Sequence, residues 1–98
     1  MRKGRPKYPQ PREVGPVIRA LQLHIPVDAP LMLGMRESLK HVPNYRIRGI
    51  TGGIEWMVDV YRSGFCHVQV QGGWSEQFKA IPPLVTYLKL RLKNNQDS

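Results

Sequence analysis

Acidic residues are scarce in this chain, cysteine is nearly absent, and no apolar run is long. Seven Asp and Glu stand against 15 Lys and Arg in 98 residues, a formal net charge of +8. The single cysteine, Cys66, excludes an internal disulfide framework and any multi-cysteine zinc module. Nothing in that count calls for an oxidising compartment. No stretch approaches the roughly 20 apolar residues that a membrane-spanning helix needs. The basic leading segment runs into prolines rather than into the apolar centre of a secretory signal. An intracellular protein, in cytoplasm or nucleus, is the expectation.

What is present argues for one small folded core. Apolar residues make up 41% of the chain, too many for wholesale disorder. Nine prolines and nine glycines point to many turns and few long elements. The opening MRKGRPKYPQPR gathers Arg2, Lys3, Arg5, Lys7 and Arg12, and its prolines favour extended chain. Residues 1–14 therefore read as a flexible, disordered basic arm, residues 15–94 as a single α+β domain and residues 95–98 as a disordered tail.

Within the domain, VIRALQLHIPV places Leu21, Leu23, Ile25 and Val27 on one face at period two, the pattern of a half-buried strand. Pro26 places it at a sheet edge or marks the strand's end. Asp28 then reads as the N-cap of a helix, LMLGMRESLKHV, in which Leu31, Met35, Leu39 and Val42 recur at helical spacing. YRIRGIT is a short strand with Arg46 and Arg48 on one face. The stretch GGIEWMVDVYRSGFCHVQVQGG reads as a hairpin. A three-residue loop, Arg62-Ser63-Gly64, pairs Val60 with Cys66, Val58 with Val68 and Trp56 with Val70, so both apolar sets share one face. Gly64 supplies the left-handed residue such a loop requires. The opposite face carries Asp59 across from His67, with Met57, Tyr61 and Phe65 nearby. WSEQFKAI suggests a turn or two of helix. PLVTYLKLRLK fits helix through Leu84, Leu88 and Leu92, or strand through alternating Leu88, Leu90 and Leu92; its terminal cations favour helix. The expected fold is an antiparallel sheet of about four strands with one or two helices on one face.

Catalytic and metal chemistry find little footing. His24, His41 and His67 do not stand at metal-ligand spacing, and Ser63 lies in a loop displaced from the Asp59–His67 pair. GITGG lacks the lysine and spacing of a phosphate-binding P-loop. Cys66 falls on the hairpin's apolar face, as a small hydrophobe. No enzyme activity, metal or cofactor is implied.

The positive charge points to a polyanion. Lys3-Gly4-Arg5-Pro6, flanked by Arg2 and Lys7, resembles the AT-hook, a disordered motif whose Arg-Gly-Arg-Pro core enters the A·T minor groove. The resemblance implies that Lys3 and Arg5 enter the groove and Gly4 permits close approach. From Ala29 onward the expected element order is similar to that of the double-stranded-RNA-binding domain, with GGWSEQFKAI at the start of that family's second helix. The expected function is thus non-enzymatic binding of DNA or RNA by a small basic protein, of a regulatory or viral accessory kind. Its contacts are expected from Arg2, Lys3, Arg5 and Lys7 on the arm, Arg46 and Arg48 on the strand, and Lys89, Arg91 and Lys93 near the C-terminus. Trp74 is expected to stack on a base. The alternative is a protein-interaction or structural module that oligomerises, or docks on acidic partners or a membrane surface. Met57, Tyr61 and Phe65 would then form the contact, or VIRALQLHIPV would pair edge to edge in a homodimer.

Overall fold

Two helices bracket five strands in the computed structural model, which describes residues 9–37 and 43–97. Helix α1 spans Pro11–His24 and helix α2 spans Ile81–Asp97; between them come β1 (Met32–Glu37), β2 (Pro43–Thr51), β3 (Ile54–Tyr61), β4 (Cys66–Val70) and β5 (Trp74–Phe78). The strands form one antiparallel sheet in the order β1-β2-β3-β4-β5. The class is α+β, with five strands where about four are expected from sequence.

The N-terminal half reverses the expected order of strand and helix. VIRALQLHIPV belongs largely to α1, because its buried residues Val17, Leu21 and Ile25, with Val14 before them, recur at helical spacing. Leu23, needed for the period-two face, is 78% exposed. Pro11 opens the helix, where a missing N–H costs nothing, so α1 starts inside the stretch read as an arm. Glu13 turns back at this end, its carboxylate accepting the Gln10 N–H at 2.6 Å. That bond, and then the Arg12 guanidinium, hold the Glu13 carboxyl below its ordinary pKa.

The segment read as a helix is instead β1. It alternates Leu33 and Met35 on one face with Met32, Gly34 and Arg36 on the other, and pairs with β2 from Met32↔Arg48 to Glu37↔Pro43. Leu39 and Val42 of the expected helix lie outside the described residues. Asp28 does accept backbone N–H bonds, but not at a helix start. Its two oxygens take the N–H groups of Gly52 (3.1 Å) and Gly53 (2.9 Å) in the two-residue β2–β3 turn. Both glycines have positive φ, 58° and 81°, as a type I′ turn demands. The expected element order shared with the double-stranded-RNA-binding domain is therefore absent, since a strand stands where its first helix would be.

The central hairpin has the expected register: Val60↔Cys66, Val58↔Val68 and Trp56↔Val70. Tyr61 N–H donates to Phe65 O at 2.8 Å and closes the Arg62-Ser63-Gly64 loop, with Gly64 at φ 89°. WSEQF extends this sheet as β5 rather than forming a helix. Its Trp74 and Phe78 lie on the helix side, where Arg91 and Tyr87 of α2 meet them. The C-terminal segment is a helix, with Pro82 and Pro83 in its first turn, and it continues through Asp97 past the tail expected from residue 95.

Both helices cover the same sheet face, α1 over β3 and α2 over β4 and β5. The core consists of Val14, Val17 and Leu21 from α1 with Ile25 at its C-cap, Leu84, Val85, Leu88 and Leu92 from α2, and the inward strand residues Ile47, Trp56, Val58, Val60, Cys66, Val68 and Val70. Gly49 is essential to this layer. A Cβ there would lie 2.3 Å from Trp56 Cζ2, so the indole crosses β2 only where a side chain is missing. Trp56 Nε1–H donates to Thr51 Oγ1 at 3.0 Å, and that hydroxyl donates to Pro26 O.

Candidate nucleic-acid interface

The other sheet face carries no helix. Strand pairing arranges its side chains in ranks across the sheet. One rank is Gly34, Arg46, Asp59, His67 and Gln77; the next is Met32, Arg48, Met57, Gln69 and Ser75. Arg36 lies beside Asn44 and Tyr61 at one end, and Ile50 beside Glu55 at the other.

Three arginines thus share this face, in different electrostatic states. Arg46 forks onto Asp59, Nε to Oδ1 at 2.7 Å and Nη2 to Oδ2 at 3.0 Å. That pairing raises the Arg46 pKa, chiefly through the hydrogen bond to Asp59. It also engages both Asp59 oxygens, so the carboxylate opposite His67 serves structure. Arg36 and Arg48 are exposed and have no ion-pair partner among the described residues. Tyr61 is half-buried at the same end, and desolvation first, then the Asp59 charge, raises its phenol pKa.

Three of the described carboxylates are engaged in bonds of the fold itself. Glu13 serves the α1 start, Asp28 the β2–β3 turn and Asp59 the Arg46 fork. Glu55 and Glu76 are exposed. Positive charge on the surface is consequently little compensated.

Two adjoining concavities mark the open face. The larger, about 280 Å³, is bordered by Met32, Arg48, Ile50, Glu55, Met57 and Gln69, among others. The smaller, about 170 Å³, lies among Met32, Gly34, Arg36, Arg46 and Arg48. Arg48 and Met32 border both.

The residues expected at a site divide among three places. Arg46 and Arg48 are together on the open face. Lys89, Arg91 and Lys93 belong to α2, on the opposite side of the sheet, and do not join them. Trp74 is 41% exposed, yet the Arg91 guanidinium sits 3.8 Å from its ring centroid and covers one face of the indole. Arg2, Lys3, Arg5 and Lys7 lie outside the described residues. Met57, Tyr61 and Phe65 are all half-buried, Met57 within the larger concavity and the aromatics at the β3–β4 loop.

Arg36 and Met32 join the face without having been expected there. Arg36 and Met32 are concealed by the helical reading of LMLGMRESLKHV; the alternation of Leu31, Leu33 and Met35 against Met32, Gly34 and Arg36 is the signal that exposes them.

Among the described residues, no three His, Cys, Asp or Glu side chains gather as a metal site, and no helix is long and apolar enough to cross a membrane. No protein family, curated protein or solved structure matches this chain.

Proposed function

We propose that this protein binds nucleic acid without catalysing a reaction, using the open sheet face as its principal contact surface. The observation that carries the reading is the contrast in commitment of the charges. Arg36 and Arg48 have no ion-pair partner among the described residues and stand beside a shallow trough, while Glu13, Asp28 and Asp59 are engaged within the fold. A chain of net charge +8 with such a face attracts phosphates over a Debye length of about 8 Å at physiological salt. The basic N-terminal residues, and Lys89 and Lys93 on α2, contribute long-range attraction. The test is fluorescence anisotropy with short labelled strands and duplexes across a salt series. Binding should weaken linearly on a log–log plot, by about 0.7 per phosphate contact for a single strand. Arg36→Glu combined with Arg48→Glu should abolish it. Unchanged affinity in that double variant refutes the reading.

A second reading has its own support at the β1 edge. Leu33 and Met35 face the helix side but are 48% and 52% exposed, because α1 and α2 lie mainly over β3 to β5. An edge strand with uncovered apolar side chains accepts a further strand. The docking edge of the alternative is then β1, because VIRALQLHIPV is helical. Size-exclusion chromatography with light scattering tests this: Leu33→Lys with Met35→Lys should convert any dimer to monomer.

A further inference from the structure

The larger concavity on the open face combines side chains that suit a base better than a phosphate. Arg48 stands at one side. Met32, Ile50 and Met57 supply apolar walls, and Gln69 supplies an amide. Glu55 stands at the other side, exposed, with its backbone fixed to Gln71 just after β4: its N–H donates to Gln71 Oε1 at 3.0 Å and its carbonyl accepts the Gln71 N–H at 2.9 Å. A carboxylate repels phosphate, so this cavity is poorly built for the backbone of a nucleic acid. The arginine trough beside it, with Arg36 and Arg46, has no such carboxylate except Asp59, which Arg46 already holds.

We infer that the cavity between Arg48 and Glu55 receives an unstacked guanine base of a single strand, with the neighbouring phosphate in the trough by Arg36. Arg48 pairs across the sheet with Met57, and Glu55 lies two residues along β3, so the two are diagonal neighbours. Such positions lie about 7–8 Å apart at the backbone, and a planar ring set between the two side chains would meet a charged group at either edge. Guanine presents the O6 and N7 acceptors that a guanidinium forks onto, and N–H donors on its Watson–Crick edge that a carboxylate accepts. Uracil has one O4 acceptor and one N3–H donor there, without the N7 acceptor or the N2 amino group that complete both pairs in guanine. A duplex would hide that edge, whereas a single strand can turn one base out onto sulfur and aliphatic walls.

This inference rests on the proposed function and is tested so that the two fail separately. Three labelled probes of equal length are titrated in anisotropy: a single strand alternating guanine and uracil, an all-uracil strand, and a blunt duplex. The guanine-bearing strand should bind about tenfold or more tightly than either of the others. Arg48→Ala should erase that preference, and Glu55→Gln should reduce it, while Lys89→Ala should lower affinity for all three equally. Equal binding of the duplex, or a guanine preference that survives Arg48→Ala, overturns the base pocket and leaves nucleic-acid binding standing. Failure of every probe to bind overturns both.

Discussion

The two faces of the sheet are built from the same strands and do opposite things. On the helix side, Ile47, Trp56, Val58, Val60, Val68 and Val70 are buried against α1 and α2. One residue along each strand, Arg48, Met57, Asp59, His67 and Gln69 face away from the helices. Inward positions contribute apolar burial, worth about 25 cal/mol per Å². Outward positions contribute charge and hydrogen-bonding groups to a surface that water would otherwise cover. Stability and the proposed recognition are thereby separated by the period of the strand, and neighbouring substitutions should have very different consequences.

The largest contrast is between Trp56 and Met57. Trp56→Ala removes a fully buried indole and the donor to Thr51, and should cost about 3–5 kcal/mol in urea or thermal unfolding. Met57→Ala, one residue away on the open face, should stay within about 1 kcal/mol. Comparable losses at the two positions would break the division of labour.

Gly49→Ala sharpens the same contrast from the partner strand. The added methyl meets the Trp56 ring at distances no real contact tolerates, so the indole must move. Overpacking of this kind costs about 1–3 kcal/mol. Combining the change with Trp56→Leu should recover part of the loss, a coupling that a double-mutant cycle measures. Arg48→Ala, adjacent to Gly49, should leave the unfolding midpoint unchanged while lowering nucleic-acid affinity.

Asp59 is the deliberate exception, an outward-facing residue that is nevertheless buried and structural. Asp59→Asn weakens the fork to Arg46, and the loss should be about 1–2 kcal/mol because Arg46 remains partly exposed and can rehydrate. The same variant frees a positive charge on the open face. Affinity for single strands should therefore rise as stability falls, a pairing of signs that a merely structural residue would not give.

Legibility in the sequence follows the range of the interactions. The β3–β4 hairpin is readable to the residue, since register, apolar faces and the Gly64 turn all sit within one short stretch. Helix α2 is favoured on its Leu84–Leu88–Leu92 spacing and terminal cations. The segments α1 and β1 are misread because each fits both periods. Pro11 at a helix start looks like a helix breaker, and Leu31, Met35, Leu39 and Val42 imitate a helical stripe. Only pairing with β2, a tertiary fact, selects strand for Met32–Glu37. The site is half legible for the same reason. Arg46 and Arg48 share a visible strand, whereas Arg36 joins them only through that pairing, and Lys89 and Lys93 leave them once α2 is placed behind the sheet.

The smallest expected effect lies at Cys66, an inward residue whose thiol can report the burial of its face. Desolvation pushes its pKa up from 9.0 to about 11. The neutral thiol is the form the fold favours, so between pH about 9 and about 11 the folded state holds a proton that the unfolded chain has released. Stability from this group is therefore intact below pH 9 and declines as pH rises through that window. Tyr61, also raised, adds a loss of the same sign at its own higher range. Equilibrium unfolding in urea between pH 8 and pH 11 should show a downward slope that is shallower in Cys66→Ala and shallower again when Tyr61→Phe is added. Reaction with a thiol-specific disulfide reagent at pH 8 should be slow in the native state and rapid in denaturant. Fast native labelling would mean that the α2 side of β4 opens readily, and the inward face would then be less firmly sealed than its apolar side chains require.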